Sequence, residues 1–138
     1  MQPILLDTGV IVAWLNRRDR HHKRCVAALS GLRKPIVTPE AVIAEGCYML
    51  QSIPAAIDRV LENVAEGIFQ IPIPLSEYAS EARSILRKYR DTPADFADAC
   101  LIAMANALDT GDILTLDSDF KHYRWRRNRA FNLLIPLD

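Results

Sequence analysis

The chain has 138 residues, half of them hydrophobic and a quarter charged, which is typical of one folded domain spanning 1–138 rather than of a disordered segment. Lysine plus arginine equals aspartate plus glutamate at 17 each, so net charge gives no argument for nucleic-acid binding. No apolar run is long enough to cross a bilayer, and the first twenty residues lack the basic start of a secretory signal. We therefore expect a cytoplasmic protein without membrane contact.

The three cysteines support the same compartment. Cys25, Cys47 and Cys100 are odd in number and far apart, and no pair has the close spacing of a metal site. We interpret them as reduced thiols of the core.

Hydrophobic periodicity predicts that strands alternate with helices or helical pairs. In chain order the predicted elements are a strand at 3–7, helices at 8–18 and 19–32, a strand at 35–39, helices at 39–52 and 54–67, a strand at 68–73, helices at 75–90 and 92–109, a strand at 112–117, a turn or short helix at 118–125 and a strand at 131–137. Thr38 is the predicted N-cap of the third helix. This alternation predicts an α/β fold with three α/β/α layers and a mainly parallel central sheet.

Acidic side chains stand at the ends of these predicted elements. Asp7 and Asp117 come at the carboxyl ends of two strands, where open α/β sheets bind their ligands. Asp95 and Asp98 lie three residues apart at the start of a helix that is otherwise apolar on every side. We expect that helix to be buried and its start to be held against the sheet.

Glu45 is out of place in its own helix. Its neighbours one turn away, Ala41, Val42 and Met49, are all apolar, and no lysine or arginine lies within one turn. A charge in an apolar stripe needs a partner, and such local inconsistencies tend to mark functional positions.

Together these positions predict one acidic cleft formed by Asp7, Glu45, Asp98 and Asp117, with Asp95 and Asp119 near by. Carboxylates brought close together repel one another, and a divalent cation removes that repulsion. An all-oxygen site suits Mg²⁺ or Mn²⁺ rather than Zn²⁺. Such ions bind phosphates and activate water for in-line displacement.

The same residues carry a resemblance to a known family. The segments "LLDTGVIVAWL", "DRHHKRCVAAL", "TPEAVIAEGCYML", "DFADACLIAMA" and "ILTLDSDF" resemble, in this order, the PIN-domain proteins and among them the VapC-like toxin ribonucleases of bacterial type II toxin–antitoxin systems. The resemblance spans nearly the whole chain and implies a PIN-like sandwich, Mg²⁺ or Mn²⁺, and endonucleolytic cleavage of RNA. It further implies a homodimer and an inhibiting antitoxin, and its pattern favours Asp98 over Asp95 as the principal ligand.

Other residues are candidates for supporting roles. Thr8 and Thr115 flank the acids and could orient a carboxylate or a water held by the metal. The segment "KHYRWRRNR", 121–129, could form a phosphate-binding rim with Tyr123 or Trp125 stacking on bases. The candidate RNA-binding residues are His22, Lys121, Arg124, Arg126 and Arg127.

Simpler interpretations remain open. Asp7, Asp95 and Asp98 could be helix caps, Glu45 an exposed glutamate, and the basic segment a solvated face. At the level of function, the alternative to a metal-dependent endoribonuclease is a PIN-like module that binds RNA or a protein without cutting. A phosphatase of the haloacid-dehalogenase type ranks last, because that chemistry needs a second aspartate where Gly9 stands.

Overall fold

The computed structural model describes residues 2–92 and 94–137. Its main sheet is built from five short strands: β1 (Ile4–Leu6), β2 (Ile36–Val37), β3 (Phe69–Gln70), β4 (Asp112–Leu114) and β7 (Asn132–Leu133). They pair in the order β3-β2-β1-β4-β7, and all four pairings are parallel. The predicted α/β class and parallel sheet are confirmed.

Six α-helices of the described chain flank this sheet. They are α1 (Thr8–Leu15), α2 (His22–Ser30), α3 (Glu40–Met49), α4 (Pro54–Ala65), α5 (Leu75–Lys88) and α6 (Phe96–Leu108). Each occurs where the periodicity predicts a helix, with ends drawn in by up to four residues. In the segment predicted to be helical from 92, Pro93 lies outside the described residues, and α6 begins at Phe96.

The first strand of the chain lies at the centre of the sheet. The chain continues from β1 through β2 to β3 on one side, and β4 and β7 lie on the other. Leu6 is in register with Leu114, and the Asp7 N–H donates to the Leu114 carbonyl at 3.0 Å. The strand order therefore reverses between β1 and β4, which is the point where such sheets open a crevice.

Helix α6 is the most deeply buried helix of the described chain. Its residues 97–105 are all buried, and it packs along α5. This confirms the expectation that its apolar run lies within the core. The buried run follows directly after the acidic start of the helix, so the fold fixes where that start lies.

Two local predictions are wrong. Thr38 does not cap α3: its hydroxyl donates to the Leu6 carbonyl at 2.8 Å, and Pro39 is the last extended residue before the helix. Thr38 still belongs to the extended chain after β2, so its side chain reaches the neighbouring strand instead. The strand predicted over 131–137 is ordered as a strand only at Asn132–Leu133.

The segment after β4 contains a hairpin that the sequence does not signal. A 3-10 helix (Ser118–Lys121) leads into an antiparallel pair, β5 (Arg124–Trp125) and β6 (Arg129–Ala130). The loop between these strands holds Arg126 and Arg127 at φ 41° and 70°, a conformation that usually selects glycine or asparagine. With arginines there, the usual turn signature is missing.

The remaining global features are simple. All three cysteines are free thiols, with Cys25 and Cys100 buried and Cys47 half-buried. Burial raises the pKa of Cys25 and Cys100 to about 11. Among the described residues, no helix combines the length and hydrophobicity that a bilayer crossing requires.

Candidate metal centre

Two of the predicted acids follow neighbouring strands at the switch point. Asp7 comes directly after β1 and caps α1, its Oδ1 accepting from the Thr8 N–H at 2.8 Å. Asp117 follows β4 by three residues and caps the 3-10 helix, accepting from the Asp119 N–H at 2.9 Å. Because β1 and β4 run parallel, both acids stand at the same edge of the sheet.

The third acid arrives on α6. Asp95 is the N-cap of that helix and accepts from the Asp98 N–H at 2.9 Å, while an Asp98 oxygen accepts from the Asp95 N–H at 3.4 Å. This reciprocal capping box fixes the first turn of the helix. It leaves Asp98 buried and Asp95 exposed.

The three acids converge. One carboxylate oxygen from each of Asp7, Asp98 and Asp117 lies within 4.8 Å of the other two. Asp7 and Asp98 are only 7% and 6% exposed. Buried anions this close repel one another strongly in the absence of a counter-charge.

The pKa values of the carboxyl groups are raised, first by burial and then by the neighbouring charges. Burial raises the pKa of Asp7 to about 6; hydrogen bonds from Thr115 and Thr8 oppose the rise, and the Asp117 and Glu45 charges add to it. Burial also raises the pKa of Asp98 to about 7, followed by the charges of Asp95 and Asp7.

Asp117 shifts in the same direction as the other two. Burial raises its pKa, with the charges of Asp119 and Asp95 adding to the rise and the Asp119 N–H opposing it. The folded protein therefore shifts all three acids towards the neutral form relative to ordinary aspartates.

Neighbouring side chains hold these carboxylates in place. The Thr115 hydroxyl donates to Asp7 Oδ2 at 2.7 Å and accepts from the Asp117 N–H at 3.0 Å, so it joins two of the acids. The Tyr123 hydroxyl donates to Asp98 Oδ2 at 3.0 Å from a fully buried position. Each of the two buried carboxylates thus has a hydroxyl donor that fixes its orientation.

The acids open into a cleft of about 300 Å³. Its lining is acidic or apolar, with no lysine, arginine or histidine among the described residues that form it: Asp7, Thr8, Gly9, Glu45, Met49, Asp95, Asp98, Leu116 and Asp117. The Thr8 hydroxyl oxygen is fully buried beside Asp7 and has no hydrogen-bond partner. This orphaned oxygen is the one buried side-chain polar atom of the described chain left unsatisfied.

These features fit a hard divalent cation. Three convergent carboxylates supply oxygen ligands only, and among the described residues that line the cleft no cation balances their charge. A bound ion or its hydration water would also give the Thr8 hydroxyl a partner. Mg²⁺ and Mn²⁺ take such oxygen sets, whereas Zn²⁺ prefers nitrogen and sulfur.

The structure brings most of the predicted acids together, in different positions relative to the cleft. Asp7, Asp98 and Asp117 form the three-carboxylate group, while Glu45 and Asp95 line the same cleft outside it. Glu45 is half-buried and Met49 is 54% exposed, so the apolar neighbours of Glu45 are partly an open cleft wall rather than core.

Two of the predicted accessory residues hydrogen-bond to the acids without lining the cleft. Thr115 bonds to Asp7, and Asp119 contributes its N–H to Asp117. Neither side chain lines the cleft.

The predicted RNA-binding residues do not line this cleft. His22 lies on α2, where its Nδ1 donates to the Ala13 carbonyl at 2.8 Å. Arg124 donates to the carbonyls of Lys121 and Tyr123. Arg126 contacts the far end of α6, through Asn106 and an ion pair of 3.7 Å with Asp109.

The position of that hairpin relative to the acids follows from helix geometry. Asp98 and Asp109 are eleven residues apart along α6, about 16 Å at the helical rise. Arg127 is exposed at the tip of the same hairpin loop. Contact between RNA and Arg126 or Arg127 would therefore lie well away from the acids.

Tyr123 is the residue whose place sequence reasoning missed. Its expected role was stacking on bases, but its ring is buried against Tyr89 and Phe120 and its hydroxyl meets Asp98. No spacing in the sequence signals this contact, because it depends on how the 3-10 helix returns the chain towards α6. Trp125, the second stacking candidate, is also buried.

Comparison with known proteins agrees with the fold. The family model described as "PIN domain" matches residues 4–126. Ribonuclease VapC26 of Mycobacterium tuberculosis is 25% identical over 137 residues, which cover 97% of this chain and 93% of that protein.

Solved structures show the same architecture. The crystal structure of Mycobacterium tuberculosis VapC20, a Sarcin-Ricin loop cleaving toxin, superimposes with a TM-score of 0.79 at 17% identity, covering 86% of this chain and 93% of that one. The structure of VapBC2 from Rickettsia felis, bound to a DNA fragment from its promoter, gives a TM-score of 0.59 at 19% identity and covers 95% and 96%. At these identities the likeness shows the fold.

Proposed function

From the premise that this chain belongs to the PIN domain family and is VapC-like, we propose that it is a metal-dependent endoribonuclease and the toxin of a toxin–antitoxin pair. The proposal takes 1–138 as a single nuclease domain. The observation that carries it is the convergence of Asp7, Asp98 and Asp117 within 4.8 Å in a cleft without a protein cation. The ribonuclease name of the VapC26 relative supports RNA as the substrate.

In this proposal Asp7, Asp98 and Asp117 hold Mg²⁺ or Mn²⁺, and Glu45 and Asp95 complete the acidic lining. A divalent cation bound there would lower the pKa of a water and neutralise charge on the scissile phosphate. Water attacks phosphorus as the bond to the leaving ribose oxygen breaks, and that oxygen is protonated. No side chain serves as a nucleophile.

The side chains of the chain itself prepare the cleft for this reaction. Thr115 and Tyr123 fix Asp7 and Asp98 by hydrogen bonds, so little reorganisation is needed when phosphate arrives. Glu45 lies in the cleft outside the three-carboxylate group, where it can accept the proton that the attacking water loses.

The proposal includes partners as well as a substrate. A VapBC2 structure among the fold matches supports a cognate antitoxin. We also propose a homodimer, supported by exposed apolar side chains beside the cleft: Tyr48 at 70%, Met49 at 54% and Phe96 at 48%. Light scattering of the purified chain tests the dimer, and a monomer at micromolar concentration would contradict it.

The compartment we propose is the cytoplasm.

Cleavage of a pool of structured RNAs tests the nuclease. We expect the purified chain to cut in Mn²⁺ or Mg²⁺, and to lose cutting in EDTA and in Asp98→Asn. Asp91→Asn is the matched control, because Asp91 is an exposed carboxylate outside the cleft. All three proteins are purified identically and checked for folding by circular dichroism.

Retained cutting by Asp98→Asn would contradict the assignment of the acids. A folded wild type that titrates with Mn²⁺, binds RNA and releases no products would instead identify the non-cleaving binding module.

A further inference from the structure

A second basic stretch lies between α1 and α2. Residues 16–24 read "NRRDRHHKR", with five lysines and arginines, two histidines and one aspartate. The chain as a whole has no net charge, so this stretch is a local concentration of positive charge. It is a different stretch from the basic segment at 121–129 that sequence reasoning singled out.

This stretch lines a groove with residues of another helix. Two adjoining depressions of about 580 and 350 Å³ share Leu15, Arg17 and Ile53. We call them together the basic groove; its basic and aromatic lining is Arg17, Arg18, His22, Arg59 and Trp14. Among the described residues that line it, none is an aspartate or a glutamate.

The side chains that line the basic groove are held in place or left available. His22 Nδ1 donates to the Ala13 carbonyl at 2.8 Å, so the ring has a fixed orientation. The Arg59 guanidinium lies over the Trp14 ring, 5.5 Å from its centroid. Within the described chain, the exposed guanidinium groups of Arg17 and Arg18 have no ion pair with a carboxylate.

The turn that carries these arginines is itself ordered. Asn16 Oδ1 accepts from the Arg18 N–H at 3.0 Å, and Asp19 Oδ1 accepts from the His21 N–H at 2.8 Å. The end of α1 favours positive charge through the helix dipole, which alone would account for Arg17 and Arg18. It does not account for Arg59, which α4 brings to the same groove.

The basic groove lies one short helix away from the acidic cleft. Thr8 at the start of α1 lines the cleft, and Asn16 directly after its end lines the groove. Eight residues of helical rise separate them by about 12 Å. On the other wall, Met49 lines the cleft and Ser52 the groove, so at most about 11 Å of extended chain separates these two.

From this arrangement we propose that the basic groove binds the phosphodiester backbone of single-stranded RNA next to the phosphate held at the acidic cleft. The identification of the ligand as substrate RNA rests on the proposed nuclease function. Arg17 and Arg18 from the turn between α1 and α2, together with Arg59 from α4, are spread along the groove, which suits a chain of repeated phosphates better than one acidic group. Continuity with the cleft sets the direction in which the strand leaves the site.

Equilibrium binding of RNA tests the groove without cleavage. A fluorescently labelled twelve-nucleotide single-stranded RNA is titrated with the Asp98→Asn chain in EDTA, at several salt concentrations. Arg17→Gln/Arg18→Gln in this background should weaken binding roughly tenfold near 0.1 M salt. The plot of log K for RNA binding against log salt should become less steep for this double variant. The magnitude of its slope should decrease by about 1.4, since each lost phosphate contact removes about 0.7.

The matched control is Arg83→Gln/Arg87→Gln, which removes two exposed arginines of α5 that do not line the groove. It should bind within about twofold of the parent with an unchanged slope. Thermal melts confirm that both double variants fold. If the two double variants lose the same affinity, or the groove variant keeps the parental slope, the inference is overturned.

Two further arms separate this inference from the proposed function. If the wild type never cuts RNA but the groove variant alone loses RNA affinity, the nuclease proposal fails and the groove stands. If the wild type cuts and the groove variant binds like the control, only the groove fails. A polyglutamate peptide that binds the parent as tightly as RNA does would assign the groove to an acidic protein partner and overturn it.

Discussion

Each of the three convergent acids also stabilises the fold locally. Asp7 begins α1, Asp117 begins the 3-10 helix, and Asp98 forms half of a capping box with Asp95. In the sequence, helix capping and a role in an acidic site are competing interpretations of an aspartate. In the structure, the same aspartate does both. The arrangement also destabilises the folded state electrostatically, because the same geometry that satisfies backbone N–H groups brings three carboxylates together.

This electrostatic destabilisation predicts how the free energy of unfolding changes with pH. The pKa values of Asp7 and Asp98 are raised to about 6 and about 7, so the folded state binds protons more tightly than the unfolded state. Their contribution is fully present below about pH 4 and is lost as pH rises through 6 to 7. In EDTA, we expect Asp98→Asn to gain stability relative to wild type between pH 5 and pH 8, by roughly 1 to 3 kcal/mol.

Urea unfolding of both proteins at the two pH values measures this difference, and comparison with Asp98→Asn cancels the titration of groups elsewhere. A difference that stays constant from pH 5 to pH 8 would rule out the raised pKa of Asp98.

Tyr123 gives a second prediction at the scale of one residue. Tyr123→Phe removes the hydroxyl that donates to Asp98 Oδ2 at 3.0 Å, at a cost of roughly 1 to 2 kcal/mol. It should also weaken Mn²⁺ binding, because Asp98 loses the donor that orients it. Calorimetric titration with Mn²⁺ measures the second effect.

Tyr89→Phe is the control, since its hydroxyl accepts from the Arg124 N–H at 3.0 Å and contacts no carboxylate of the cleft. Equal Mn²⁺ affinity in the two variants would show that Tyr123 is structural only.

At the scale of elements, helix α6 combines an acidic first turn with a buried body. Its N-terminal turn supplies Asp98 to the cleft, and its C-terminal end anchors the hairpin through Asn106 and Asp109. Substitutions in the first turn of α6 therefore affect the cleft, and substitutions at its C-terminal end affect the hairpin.

The capping box should contribute measurably to stability. Asp95→Ala removes the acceptor of the Asp98 N–H and should lower the free energy of unfolding by about 1 kcal/mol. Asp95→Asn keeps an acceptor oxygen and should lose much less. Denaturant melts of the two variants compare them directly, and equal losses would show that charge rather than capping explains the effect.

Two glycines should respond in opposite ways to alanine. A Cβ on Gly111 would overlap Trp125 Nε1, and the indole cannot retreat while its N–H donates to the Ala130 carbonyl at 3.1 Å. We expect Gly111→Ala to cost roughly 2 to 4 kcal/mol. A Cβ on helical Gly9 meets only Leu116 at 3.9 Å, so Gly9→Ala should be neutral or stabilising by up to about 1 kcal/mol. Thermal melts test the pair, and a Gly111→Ala chain that melts at the same temperature as the parent would contradict the packing of the hairpin.

Prediction from sequence works best where the position of a residue in its element has a single physical explanation. Aspartates directly after strands, and the acidic start of an apolar helix, predict the acidic centre because parallel strands end at one edge. The hairpin could not be predicted in this way, since Arg126 and Arg127 adopt left-handed backbone against their own preference. Tyr123 could not either, since its contact with Asp98 exists only once that hairpin is in place.

At the scale of the whole molecule, the acidic centre joins segments that are remote in the chain. Asp7, Asp98 and Asp117 follow β1, begin α6 and follow β4. A ligand that binds all three therefore stabilises the folded state as a unit.

Divalent cations should raise thermal stability through this site. With Mn²⁺ at about a hundred times its dissociation constant, we expect about 2.7 kcal/mol of added stability. Asp98→Asn should show little of this gain, whereas Asp91→Asn should show all of it. Differential scanning calorimetry with and without Mn²⁺ measures the effect; an equal gain in all three proteins would mean that the ion binds elsewhere.

The central position of β1 has a consequence for synthesis. Strand β1 is made before β2 and β4, which flank it, and Asp7 meets Asp117 across 110 residues of chain. A nascent polypeptide therefore cannot assemble the acidic cleft until α6 and the segment after β4 have also left the ribosome. The activity of this cleft therefore begins only after the segment that carries Asp117 has been synthesised.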